Sequence, residues 1–200
     1  MKKIIAILLV LSVAFVAFAE TGAPTSTNLG LQTVIAPKLY HGFTATDNTS
    51  APAIVTALSA ASSGSITKTG LNIEVDGAQE VGYYSLYNTG NLQATVKFTP
   101  SPLTLNLGTT TYYVPYRLSW TASSGNSKVT VSGSPIGTVA VFGTSAPTAV
   151  PATTAMLTTS NGLRWQTLLL KVEFAGALNL AAGLPEGTFT GFILAAVTAS

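Results

Sequence analysis

Apolar side chains recur at every second position through much of this chain, in short stretches cut apart by Gly, Pro, Asn and Asp. That period belongs to a strand with one buried face, not to a helix. Leu71, Ile73 and Val75 alternate up to Asp76-Gly77, and the pattern returns through Val81, Tyr83 and Tyr84, which predicts a hairpin with a tight turn. Leu92, Ala94, Val96 and Phe98 share a face. Pro100-Ser101-Pro102 interrupts, and Leu103, Leu105 and Leu107 share the next. Residues 111–133 add two strands joined through Ser123-Ser124-Gly125-Asn126. Residues 138–143 (TVAVFG) read as a short buried strand, 145–155 as a Pro-rich connection, 162–176 as a long strand and 181–187 as a turn. Around Ile54, Val55 and Leu58 the spacing also fits a helical turn, so residues 51–70 stay undecided between helix and loop. About eight strands at this spacing predict an all-β fold, a β-sandwich first and a closed barrel second.

The amino-terminal residues carry a separate signal. Lys2 and Lys3 precede an apolar run from Ile4 to Phe18, closed by Ala17-x-Ala19. This is the pattern of a bacterial secretory signal peptide over residues 1–19, cleaved after Ala19, and the run is short for a membrane span. The expected destination is the periplasm and then the cell surface. Without Cys the chain has neither a disulfide framework nor a lipid-anchored thiol. Two of the nine basic residues fall in the signal, so the mature chain is formally neutral, with seven charges of each sign. No basic patch argues for nucleic acid. Charged residues make up only 8% of the chain, against roughly 25% in an ordinary soluble domain.

The inventory for catalysis is thin. His41 is the only histidine, and the acids are scattered, with Asp76 and Glu186 in turns. Glu74 and Glu80 flank the Asp76-Gly77 turn, but no calcium-loop pattern accompanies them. There is no phosphate-binding Gly-Lys motif. The expectation is no enzyme, no catalytic residue, no metal and no cofactor. Asn48-Thr49-Ser50 matches the N-glycosylation sequon. Tyr83, Tyr84, Tyr112, Tyr113 and Tyr116 could form a glycan platform in a monomeric secreted module, though cross-strand packing is the plainer account. A small outer-membrane barrel is a further alternative, disfavoured by uneven strands and scarce lumen charge.

Two stretches remain. Residues 20–37 hold Leu29, Leu31, Thr33 and Ile35 in alternation until Pro37, apart from the body that begins at residue 38. The closing stretch from Phe189 to Thr198 is apolar on both faces, with Phe189, Ile193, Ala195 and Val197 on one and Phe192 and Leu194 on the other. Such a strand has to be covered. An isolated apolar strand and an open sheet edge complete each other, and a head-to-tail exchange of that kind propagates a fibre.

In the leader TNLGLQTVIAPKL, in LYNTGNLQATVKFTPSPLTL followed by YYVPYRLSWTASSG, and in the ending LPEGTFTGFILAAVTAS, the chain resembles the major subunits of chaperone–usher fimbriae, especially the cysteine-free alternate-chaperone, colonization-factor type. The Pro-rich stretch 145–155 has no counterpart there. The resemblance implies an incomplete immunoglobulin-like β-sandwich with an N-terminal donor strand. A periplasmic chaperone holds it, an outer-membrane usher exports it and a neighbouring copy completes it, with a host glycan or receptor as a further ligand. Leu29, Leu31, Thr33 and Ile35 would be the donor side chains. Phe189, Phe192, Ile193, Leu194 and Val197 would line the groove.

Overall fold

A computed structural model describes residues 36–59, 64–90, 92–159 and 161–199. The expected signal peptide and the candidate donor residues Leu29, Leu31, Thr33 and Ile35 lie outside that set. One compact unit spans Ala36–Ser200.

The unit is mostly antiparallel β-structure in two stacked sheets. Five strands build the first: β1 (Leu39–Thr44), β2 (Ala78–Asn88), β10 (Arg164–Glu173), β6 (Arg117–Gly125) and β8 (Ile136–Gly137), in that spatial order. The second holds β11 (Ile193–Ala199), β3 (Ala94–Pro100), β9 (Thr153–Thr158) and β7 (Val129–Val131). A small ribbon pairs β4 (Leu103–Leu107) with β5 (Thr110–Val114). Among the described residues both sheets end in open edges, so the closed barrel is replaced by a sandwich.

Alternation explains the core. Tyr84 and Leu86 on β2, Leu168, Leu170 and Val172 on β10, and Leu118 and Trp120 on β6 turn inward against Val96 and Phe98 on β3. Phe43, Tyr84, Phe98 and Trp120 form a chain of rings with centroids 5.3, 5.1 and 5.1 Å apart, each contact edge-to-face. Such pairs add about 0.5–1.5 kcal/mol each beyond their buried area. Helix α1 (Ala51–Leu58) resolves the undecided stretch. Ser50 caps it by accepting from the Ala53 N–H, Pro52 sits in its first turn, and Ile54 and Leu58 are buried.

Three expectations need correction. Residues 71–77 form no strand. Side chains satisfy their backbone instead: Gln79 bonds both the N–H and C=O of Asn72, and Asn72 Oδ1 accepts from the Glu74 N–H. Local bonds of this sort displace a ladder. The TVAVFG stretch is likewise no strand, with Val139 and Val141 exposed. Its Phe142 N–H goes to Asn179 Oδ1, on a short helix α2 (Gly176–Ala181) that alternation could not announce. Residues 111–133, read as two strands joined through Ser123–Asn126, instead hold most of β5, then β6, which runs on through Gly125, and the short β7 in the other sheet.

The two ends of the sandwich are built differently. Leu39, Asn88 and Arg164 are cross-strand neighbours, and Arg164 donates to the Gly90 carbonyl between β2 and β3, so this lower end also holds residues 89, 90, 92 and 93. Residues 126–128, 159 and 161–163 join it through Asn126–Trp165 and Thr159–Lys128 backbone bonds. The upper end carries Ala78, Glu173, α2 and residues 71–77, tied together by Asn179, which donates to the Ile73 carbonyl, and by Asp76, which accepts from the Ala177 N–H.

Candidate functional site: a groove beside an open strand

Strand β11 begins at Ile193, later than the Phe189 expected from alternation. The Pro100-Ser101-Pro102 break explains the difference, because the partner changes there. Thr190 exchanges two backbone bonds with Thr104 of β4, at 2.8 and 2.9 Å, before the chain passes onto β3. Ser101 then donates to the Phe192 carbonyl, and the register continues as Ile193↔Pro100 through Ala199↔Ala94. In an antiparallel ladder bonded and non-bonded pairs alternate. Phe192, Leu194, Ala196 and Thr198 therefore bond towards β3. Pro100, with no N–H to give, fits its non-bonded place opposite Ile193.

The remaining main-chain groups set the chemistry of the site. The N–H and C=O of Ile193, Ala195 and Val197 point away from β3, to an edge with no strand beside it among the described residues. Their side chains turn inward and pack against the core. Phe192 and Leu194 face outward and are 64% and 54% exposed.

Next to this edge lies a groove of 1140 Å³. The buried Leu170, Val172 and Phe174 form its base. Residues 64–74 line one side, and residues 184–195 the other. Phe189, Phe192, Ile193 and Leu194 all border it; Val197, named with them from the sequence, does not. Leu71, Ile73 and Ile66 contribute apolar surface from the facing side, which the sequence assigned to a hairpin and a loop. Tyr116 closes the depth of the site: its hydroxyl donates to the Phe192 carbonyl at 3.4 Å, and burial pushes its phenol pKa up. The groove can hold an extended apolar segment and bond its backbone.

Other candidates scatter. Tyr84 and Tyr116 are buried, Tyr83 lies on the first sheet and Tyr112 and Tyr113 on the β4–β5 ribbon, so the five tyrosines make no common platform. His41 Nδ1 and the Tyr84 hydroxyl share a hydrogen bond of 3.0 Å, and burial lowers the imidazole pKa by desolvation. Glu80 pairs with Lys171 at 3.4 Å rather than facing Glu74. Among the described residues no three His, Cys, Asp or Glu side chains gather in a metal-binding group. No described helix is long and apolar enough to cross a membrane. Asn48 of the sequon is buried, its amide donating to Thr44 Oγ1 and Ser85 Oγ at 3.2 and 3.0 Å. Comparison with protein families, with curated proteins and with solved structures finds no match to this chain.

Proposed function

We propose that the protein is a structural subunit of a bacterial surface filament, built by passing a strand from each copy into the groove of the next. The observation that carries this reading is the run of three main-chain positions open at the β11 edge, Ile193, Ala195 and Val197, the first two beside an apolar groove. Segment 29–35 has the matching pattern, with Leu29, Leu31, Thr33 and Ile35 on one face. Main-chain pairing would set its register, and alternate side chains would enter the groove. Burying about four such side chains contributes on the order of 1.5–3 kcal/mol each.

Strand order also favours the immunoglobulin-like form. The run β1-β2-β10-β6 corresponds to A-B-E-D, and β11-β3 to F-C. In that scheme the place beyond β11 belongs to strand G. A donated strand would take it. The pathway suggested by the resemblance, with a periplasmic chaperone, an outer-membrane usher and surface delivery supporting adhesion, belongs to the same proposal.

The experiment is Ile35→Asp in the full chain. A carboxylate carried into the apolar groove costs several kcal/mol, so filaments should vanish from negatively stained surface material while the domain is still secreted. Filaments of unchanged number and length would refute strand donation.

A further inference from the structure

The few charges of this domain are sorted between its two ends. Of the acids among the described residues, Glu80 and Glu173 pair with Lys171 and Arg117, and Asp47 accepts from Ser123 on the flank of the first sheet. The other three, Glu74, Asp76 and Glu186, are exposed at the upper end with no ion-pair partner among the described residues. Glu186 belongs there because the adjoining Leu184 N–H bonds the Asn179 carbonyl of α2. The lower end carries the opposite sign. Lys38 bonds Thr89 through its backbone, Lys128 reaches only the Asn161 carbonyl, and neither has a carboxylate partner among the described residues. Lys68 lies in the groove wall and Lys97 in the middle of β3.

Exposed large apolar side chains occur at both ends, as well as elsewhere on the domain. Val75, Leu178 and Leu180 are 50%, 59% and 60% exposed at the upper end, and Leu39, Leu92 and Leu163 are 41%, 59% and 42% exposed at the lower. Large apolar side chains left open on both ends mark surfaces awaiting a partner.

We infer that successive copies of this chain meet end to end, Lys38 and Lys128 of one facing Glu74, Asp76 and Glu186 of the next across the paired apolar residues. The inference rests on the strand-donation reading, which supplies the tether. The chain enters the domain at the lower end, where Pro37 packs near Gly90. The groove lies towards the upper end, since β11 lines it only as far as Ala195. Three residues, Ala36 to Lys38, separate Ile35 from β1. Ile35 and Leu39 are four steps apart, so this stretch reaches no further than roughly 14 Å. A donor seated through Ile35 must therefore hold its own lower end against the acceptor's upper end. The contact is heterologous, and opposite charge fixes its polarity.

The test compares full chains carrying Lys38→Glu with Lys128→Glu, Glu74→Lys with Glu186→Lys, and all four changes together. Each double variant should lower filament recovered from the cell surface by about tenfold at low salt, and the fourfold variant should restore it. The deficit should shrink at high salt, where surface charges are screened. Lys38→Gln with Lys128→Gln, which adds no repulsion, should give a smaller loss of the same kind. Double variants that assemble like the native chain, or a fourfold variant no better than the doubles, would overturn the end-to-end contact. Run alongside, Ile35→Asp separates the two ideas: filaments from that chain overturn strand donation itself, whereas their absence beside indifferent charge variants overturns only the contact at the ends.

Discussion

Ala195→Pro and Leu194→Pro, one residue apart on β11, should have opposite consequences. The Leu194 N–H bonds towards Thr99, so proline there removes a ladder bond and drives its ring into β3. The damage should reach about 3 kcal/mol or more, the scale of proline placed where the backbone is already engaged. The Ala195 N–H points to the open edge instead. Proline at 195 replaces only a solvent-facing donor, on an edge strand where the residue is tolerated, and Leu194 before it is already extended. The isolated domain should keep its stability to within about 1 kcal/mol, the net worth of a single hydrogen bond. An incoming strand fares differently, because its carbonyl meets the pyrrolidine ring where it needs an N–H, at the centre of the three available positions. Thermal unfolding followed by circular dichroism should separate Leu194→Pro from native and Ala195→Pro alike. Electron microscopy of surface material should find filaments in neither variant. Filaments from Ala195→Pro would refute strand addition at this edge, and unfolding of Ala195→Pro would refute the bonding pattern deduced for β11.

Buried polar groups give two further outcomes. His41 has a folded pKa below its ordinary value of about 6.5 because its Nδ1 edge is desolvated against Tyr84. The unfolded chain therefore binds the proton more readily. The contribution of His41 to stability is complete above about pH 6.5 and is lost as pH falls through that value towards the folded pKa; His41→Phe should flatten this part of a urea-midpoint profile, and an unchanged slope would contradict the assignment. Asn48→Ala should cost about 1–3 kcal/mol, since it removes two buried hydrogen bonds of about 0.5–1.5 kcal/mol each, while Thr44 keeps its bond to the Thr46 carbonyl and Ser85 its bond to Thr167 Oγ1. Mass spectrometry of chain secreted from a eukaryotic host should find Asn48 unmodified wherever the domain folds before modification.

Legibility in the sequence followed how local each cause was. The strands β3, β6 and β10 were readable because Val96, Phe98, Leu118, Trp120, Leu168 and Leu170 each obey the two-residue period over an inward face. Leu71, Ile73 and Val75 obey it too and form no strand. What decides there is not hydrophobicity but Asn72, Gln79 and Asn179, whose side chains take up backbone groups from 2 to 106 residues away. Helix α2 has only six residues, too few to show a helical period. At the site, Phe189, Phe192, Ile193 and Leu194 stand out as an ending apolar on both faces, and their place beside a groove is implied only by the resemblance to fimbrial subunits. The opposite wall at residues 64–74 could not be named, because it is built by packing across the mouth of the sandwich, and its one periodic stretch, at Leu71 and Ile73, points to a strand instead.

The treatment of sheet edges sharpens the case for strand donation. A sandwich of two open sheets has four edges, and three are blunted here. β8 has two residues and β7 three, too short to template another strand. β1 is partly covered where the Phe43 N–H bonds the Gly64 carbonyl at 3.0 Å. Among the described residues β11 alone runs for seven residues with its outer groups open, without a charged side chain along it, and with Phe192 and Leu194 exposed beside it. Proteins usually protect such an edge with lysine, proline, a bulge or a covering loop. The proline paired with this strand, Pro100, stands on the inner partner, where it blocks nothing outside. On the strand-donation reading, the longest apolar edge stays open for what it receives, while two edges are very short and the third is partly covered. On that proposal, an extended apolar segment supplied by an identical chain would satisfy both its backbone and its groove.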